Sequence, residues 1–521
     1  MLIHFSDTYR FLLISLCFTV CFLLVFRILI KSWERSGILC SLFLILFFSF
    51  GQVENLVERW VSQNGFSFNI SVFAWIWLAI YVALSLLIVK TRLPQSLGLY
   101  LNIMSVVLIL LPLLTIVSTA TASKSRGESE YEILSQIRGE MEAVSSLPEI
   151  AVSEMPDIYY IILDAYTRAD ILHDLYDYDN SPFLDALEDR GFYIVSESRS
   201  NYMNTTYSLN TSLNLLYFHE VPLHIFRQAR YDLQTNYVNQ FLRDQGYQVV
   251  VFNSGTGDTN RQYADIFVSP DPSRTEDNKD FNSFEHLLLR TTLGLLLYSK
   301  DPQSNPAEGI SQAFIESVNR ELDVRRERIR HALKHLPDYT TQSGNHFLFS
   351  HIYLPHFPFL YGPDQEELEY HQNVNLYWYE VEPEDYIEYY TYQLDYLNQA
   401  LLGTIDSIIA TSEQPVVIVI QGDHGDEKYL NWDEPDAQGV HVRTGILNAI
   451  YFSDGDYEML YPTMTPVNTF RMILNKWFGT QYPLLADHSY SHEHSLATPY
   501  NRMPEFTDIC IQFDLCAPES P

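Results

Sequence analysis

The chain has 521 residues, 47% of them hydrophobic, and carries 32 Lys and Arg against 65 Asp and Glu, a formal charge of −33. That length accommodates a membrane section and one large domain. The acid excess lies almost wholly after residue 125, with eight basic and four acidic residues before that point and 24 and 61 after it. So acidic a domain argues against nucleic acid or other polyanions as partners.

Four apolar segments open the chain, at about 11–30, 37–53, 70–89 and 99–119, each close to the length a helix needs to cross a bilayer. Arg27, Lys31 and Arg35 surround the first loop, and Lys90 and Arg92 follow the third segment. The loop after the second segment has Glu54 and Glu58 against Arg59. The excess of Lys and Arg places loops one and three in the cytoplasm, and everything after about residue 120 outside it. The expected location is therefore a multi-pass cell-membrane protein with an extracytoplasmic domain, and its first partner is the lipid bilayer. Residues 121–155 read as a stem, with Ile133, Leu134, Ile137, Met141 and Val144 near helical spacing.

From Pro156 onward strand and helix patterns alternate. Strands are expected at 157–163, 192–195, 247–252, 346–354, 416–421 and 447–452. Helices are expected at 181–190, 237–246, 283–298, 310–336, 384–410 and 466–478. The long helix at 384–410 has Tyr386, Tyr390, Leu394, Leu397, Leu401, Ile405 and Ile408 on one side. Residues 255–280 read as irregular. This alternation implies an α/β domain with a mostly parallel sheet covered on both faces. The expected organisation is a four-helix transmembrane section at 1–120, the stem at 121–155, a catalytic domain at 156–495 and a tail at 496–521.

Of the five cysteines, Cys17, Cys21 and Cys40 lie in apolar segments. Cys510 and Cys516 stand in the tail, where a small disulfide loop is possible outside the cytoplasm. None has the spacing of a zinc ribbon or a redox pair.

Two strand ends carry the chemistry. Val416–Gln421 is an apolar, β-branched run that leads into Gly422-Asp423-His424-Gly425. A strand far upstream, Asp157–Leu163, leads into Asp164. Ligands of α/β proteins sit at the carboxyl ends of strands. Two carboxylates and an imidazole there suit a divalent cation such as zinc, manganese or magnesium. Asp-His-Gly alone is equally a polar turn after a strand; the pairing with Asp164 favours a metal site.

This pairing resembles the sulfatase-like branch of the alkaline phosphatase superfamily, and further motifs extend the likeness over roughly 156–490. Ser200-Asn201-Tyr-Met-Asn-Thr205-Thr206-Tyr-Ser-Leu209 is similar to the family turn that delivers a nucleophile at a helix amino terminus. The resemblance maps the nucleophile onto Thr205, which would also ligate the metal with Asp164, Asp423 and His424. Thr206 is the alternative one residue on, and a capped helix start is the plain structural reading of the stretch. Ser350-His351-Ile-Tyr-Leu-Pro-His356-Phe-Pro-Phe359 resembles the family's Pro-His-x-Pro-Phe turn, which implies a catalytic His356. His351, Asn201, His441 and Arg443 are the expected substrate contacts, Arg443 as a bidentate partner for an oxyanion. The family's usual Gly after the first-strand carboxylate is Ala165 here, which costs little unless the backbone there is at positive φ.

No cysteine stands in the Cys-x-Pro-x-Arg context that sulfatases convert to formylglycine. A threonine nucleophile instead implies phosphoryl chemistry, as in lipoteichoic acid synthases and lipid A phosphoethanolamine transferases. The expectation is a membrane-anchored, metal-dependent transferase or hydrolase of phosphate esters, acting on a lipid headgroup or an envelope glycan. The alternatives are a sulfuric ester hydrolase without formylglycine and a catalytically silent envelope-assembly protein.

Overall fold

A computed structural model describes residues 5–63, 69–91, 155–220, 236–256, 259, 264–270, 292–293, 308–369, 383–432, 434–492 and 506–513. The chain divides into two compact units. One comprises Met1–Gly127 with Asn278–Arg320, the other Glu128–Asp277 with Glu321–Pro521.

The first unit holds helices α1 (Phe5–Ile30), α2 (Trp33–Gln63) and α3 (Ile70–Lys90). Among the described residues two are long and apolar enough to cross a bilayer, Trp33–Glu54 within α2 and Ile70–Lys90. Of α1, the stretch Ser15–Ile30 is a further apolar segment. Four spans were expected; two helices meet the criterion, and the fourth segment, 99–119, lies outside the described residues. Trp77 Nε1 donates to Leu46 O at 3.0 Å, and the Phe22 and Phe43 rings stack at 4.4 Å, so aromatic contacts join the three helices.

The second unit runs β1 (Asp157–Leu163), α4 (Ala169–Tyr176), α5 (Ser181–Glu188), β2 (Tyr193–Ile194), α6 (Thr205–Asn214), α7 (Tyr237–Asp244), β3 (Gln248–Phe252) and β4 (Ile266–Val268). It continues with the part of α8 (Glu308–His335) from Glu321 onward, then β5 (His346–Ile352), α9 (Pro383–Thr411), β6 (Val416–Gly422), α10 (Ala437–Thr444), β7 (Asn448–Phe452) and α11 (Pro466–Phe478). It closes with β8 (Tyr490–His492), β9 (Phe506–Asp508) and α12 (Ile509–Phe513).

Seven strands form one sheet in the order β2-β7-β6-β1-β5-β3-β4. β1 pairs in parallel with β5 and β6, and β3 with β4 and β5. β7 is antiparallel to both β6 and β2, so it alone runs against the rest. β1, β5 and β6 are buried along their whole length, as continuous apolar strands of a two-sided sheet must be. Their side chains alternate between two cores. Tyr159, Ile161, Leu163, Ile418 and Ile420 face α9 and its Leu394, Leu397 and Leu401. Ile158, Tyr160, Ile162, Val417 and Val419 face α6, α7 and α11. All seven positions expected on the inner side of α9 are buried.

Two features depart from expectation. Ile266–Val268 is a strand inside the stretch read as irregular; three residues are too few for a periodic signal. Part of the tail is structured: Phe506–Asp508 pairs with Tyr490–His492, and Ile509 is buried. Cys510 is disulfide-bonded, while Cys516, its expected partner, lies outside the described residues. The stem helix and the helix at 283–298 also fall outside them, apart from residues 292–293.

Candidate metal centre and nucleophile

β1 and β6 are neighbours in register, Leu163 opposite Gly422, so the residues that follow each strand emerge side by side. Asp164, Asp423 and His424 are all buried, and one ligand atom from each lies within 4.8 Å of the others. His424 Nε2 is 3.4 Å from Asp423 Oδ2 and 3.8 Å from Asp164 Oδ1. Among the described residues neither carboxylate oxygen, Asp164 Oδ1 or Asp423 Oδ2, has a hydrogen-bond partner. The turn after β6 must come very close to α10: a Cβ on Gly425 would meet Val442 O at 2.0 Å. Only glycine fits there.

The tautomer of His424 follows from its neighbours. Its Nδ1 is 3.0 Å from Gly425 O, a carbonyl that only accepts, so Nδ1 carries the proton and Nε2 the lone pair. Burial, reinforced by the Arg443 charge, holds His424 well below the usual histidine range and keeps it neutral. Burial would raise Asp164, but His356 and the hydrogen bond from His351 outweigh it and hold that carboxyl well below its ordinary range. Burial and the neighbouring Asp164 charge push Asp423 up to about 6.

The nucleophile candidate comes from a third element. α6 starts at Thr205, and Asn204 caps it with Oδ1 accepting from Tyr207 N at 2.9 Å. Tyr160 seats this polar helix on the sheet through its hydroxyl, 2.9 Å from both Ser212 Oγ and Gln421 Oε1. Thr205 Oγ1 thereby arrives 3.2 Å from His424 Nε2. The dipole of a helix start favours an anion at this position.

Two carboxylate oxygens, one imidazole lone pair and one hydroxyl thus converge. Tetrahedral coordination at about 2.1 Å needs ligand atoms roughly 3.4 Å apart, and the spacings to His424 Nε2 of 3.2, 3.4 and 3.8 Å bracket that value. The residues present fit a divalent ion, and the donor set of one nitrogen and three oxygens suits zinc or manganese.

Other expected residues fall into two groups. Arg443, on α10, reaches the centre: Nη2 is 3.2 Å from His424 Nε2, while Nε donates to Met203 O and Nη1 to Gly425 O. His351 flanks it, with Nε2 3.3 Å from Asp164 Oδ2 and Nδ1 2.9 Å from Thr259 Oγ1. His356 stands over the same edge. Its backbone N–H donates to Asp164 O at 3.1 Å, its ring stacks on Tyr353, and its Nδ1 is 2.6 Å from Phe357 O. His441 is turned away: two positions from Arg443 on a helix is about 200° of rotation, and its Nδ1 lies 3.3 Å from Arg199 Nη1. Asn201 is also committed elsewhere, donating to Thr465 Oγ1 and His488 O and accepting from Val467 N. Both side chains have partners within the scaffold in this arrangement.

The sequence reading missed a supporting layer. Arg325 on α8 donates to Tyr353 O and His356 O and stacks on the Tyr353 ring at 3.8 Å. Asp426 is buried and accepts from Tyr176 and Tyr386, each at 2.7 Å. Tyr386 and Tyr390 were legible only as inner positions of α9. Ala165 has φ +64, the left-handed region, which costs an alanine about 1–2 kcal/mol. The departure from the family's glycine therefore carries strain at the edge of the centre.

Fold and site together define an α/β domain with a metal-ready cluster and a helix-borne hydroxyl at the carboxyl edge of its sheet. The chain is similar to the C-terminal periplasmic domain of EcEptC from Escherichia coli, in complex with Zn, at 12% identity and a TM-score of 0.39 over 68% of this chain and 95% of that one. It is similar to the soluble domain of lipooligosaccharide phosphoethanolamine transferase A from Neisseria meningitidis, at 12% identity and 0.41 over 64% and 90%. A protein in the alkaline phosphatase superfamily from Vibrio parahaemolyticus is similar at 11% identity and 0.38 over 67% and 75%. No family model matches the chain, and no curated protein matches it.

Proposed function

We propose that this protein is a membrane-anchored, metal-dependent enzyme of phosphate esters, with Thr205 as its nucleophile. The observation that supports this reading best is Thr205 Oγ1 at the start of α6, 3.2 Å from His424 Nε2 and beside two unpartnered carboxylate oxygens. Asp164, Asp423, His424 and Thr205 would hold the divalent ion. When bound, such an ion supplies Lewis-acid stabilisation of phosphate charge and lowers the pKa of a ligating hydroxyl.

The chain's own residues supply the rest. The α6 amides and Arg443 bind the non-bridging oxygens of the ester. Thr205 Oγ attacks phosphorus; the Oγ–P bond forms and the bond from phosphorus to the leaving oxygen breaks. The Thr205 proton leaves to solvent as the Oγ–P bond forms; His356 donates Nδ1–H to Phe357 O, so its Nε2 protonates the leaving oxygen from the imidazolium form and is then reprotonated by solvent. An alcohol or water then takes the group from Thr205 and restores its hydroxyl.

Two helices long and apolar enough to cross a bilayer support a membrane anchor. The Lys and Arg bias of the loops favours an extracytoplasmic domain, and a site tethered there would meet lipid headgroups or envelope glycans. A panel of aryl phosphate monoesters, aryl phosphate diesters and aryl sulfates, with wild type and Thr205→Ala, tests the reading. Turnover of a phosphate ester by wild type alone supports it. Turnover of sulfates alone replaces it with the sulfuric ester alternative.

A further inference from the structure

The Ala165 backbone is held at both ends. Its N–H donates to Asp423 Oδ1 at 3.1 Å, and its C=O accepts from the Tyr390 hydroxyl at 2.7 Å. Tyr390 is fully buried on α9, and its oxygen also takes the N–H of Thr167 at 3.2 Å. Thr167 Oγ1 in turn accepts the Asp426 N–H at 2.8 Å, which ties the turn after β1 to the turn after β6. Asp423 Oδ1 receives a second amide, His424 N at 2.9 Å, so only Oδ2 is left to face His424 Nε2.

We propose that Tyr390 is a positioning residue for the metal centre. Its hydroxyl locks Ala165 at positive φ, and the Ala165 amide thereby decides which oxygen of Asp423 is presented to the ion. The inference rests on the reading that Asp164, Asp423 and His424 hold a divalent ion. A backbone conformation that an alanine disfavours persists where its surroundings over-determine it, and the two hydrogen bonds on Ala165 do so. The tyrosine reaches the ion through one backbone residue and one carboxylate, the usual arrangement of groups that orient ligands without touching the metal.

The test is Zn and Mn titration of chelator-treated, full-length protein in detergent. Tyr390→Phe should weaken ion binding by about 10- to 100-fold. At saturating ion its turnover of an aryl phosphate should return close to wild type, a split that general damage to the fold would not produce. Tyr461→Phe, which loses a comparable bond to Asp487, should bind the ion as wild type does. Ala165→Gly in the Tyr390→Phe background should recover part of the lost affinity, because glycine adopts positive φ without the lock. If Tyr390→Phe does not fold, Ala165→Val tests the same link with the tyrosine in place, and it too must weaken binding. Unchanged affinity in Tyr390→Phe or in Ala165→Val, or a double variant no better than the single, overturns the inference. A wild type that binds no ion overturns it together with the site reading; a wild type that binds while Tyr390→Phe binds equally overturns the inference alone.

Discussion

The Thr205 hydroxyl lies 3.2 Å from Nε2 of His424, 219 positions away in sequence. The contact joins the start of α6 to the turn after β6. Thr205 is the first residue of the helix, and its Oγ1 faces the lone pair of His424. Thr205→Ala should be expressed and folded, since Asn204 supplies the cap and cap losses cost only about 1 kcal/mol. It should be inactive on aryl phosphates, while Thr206→Ala keeps most of its activity. Mass spectrometry of acid-quenched wild type with a slow substrate should find the added group on Thr205; an adduct on Thr206 would shift the assignment by one residue.

Metal removal should destabilise the domain. An ion that binds only the folded state at 100 times its Kd adds about 2.7 kcal/mol. Chelation should therefore lower the thermal midpoint of wild type and leave that of Asp423→Asn nearly unmoved, with metal analysis showing low occupancy in the variant. Full occupancy in Asp423→Asn would show that the ligand set is wrong.

Arg325 carries the turn that holds His356. Replacing it with methionine leaves Tyr353 O and His356 O without their donor in a buried setting. At about 1–3 kcal/mol for each unsatisfied group, Arg325→Met should lose roughly 2–5 kcal/mol by denaturant unfolding. Arg325→Lys should regain part of the loss. An Arg325→Met domain as stable as wild type refutes the bracing role.

His441 gives a pH signature distinct from the metal centre. Burial, and then the charges of Arg199 and Arg168, lower its pKa below the usual value of about 6.5. As pH falls below that value the unfolded chain takes up the proton first, so stability drops with acidification. His441→Gln should flatten the change in denaturant midpoint between about pH 7.5 and 5.5. Equal slopes for the two proteins would rule out this contribution.

Reporter fusions at residues 93 and 130 test the membrane arrangement. The cationic residues Lys90 and Arg92 lead to the expectation of a cytoplasmic reporter at 93 and an external one at 130. A reporter at 130 that works only in the cytoplasm reverses the orientation.

Much of the scaffold was legible from local pattern alone. Val416–Gln421 and Asp157–Leu163 are continuous β-branched or aromatic runs, and both are buried strands. Pro466 and Gly479 bracket α11 as start and stop, with Gly479 at φ +67. The inner positions of α9 follow a spacing near 3.6 residues, and every one is buried. Strand-end carboxylates were recognisable because they follow strongly patterned strands, whereas the threonine turn was singled out by its resemblance to a family motif.

What the local pattern did not hold is which side chains meet. Strand order puts β1 between β5 and β6, and that adjacency alone brings Asp164 to Asp423, His424 and His351. Helix rotation separates Arg443 from His441, although either could be assigned to the substrate from sequence. The reversal of β7, the Arg325 brace and the tyrosine layer around Asp426 and Ala165 depend on long-range pairing, which leaves no periodic trace. A sequence sets the polarity and backbone preference of each segment by local physics. The distances of a few ångströms on which catalysis depends are set by the packing of segments hundreds of residues apart.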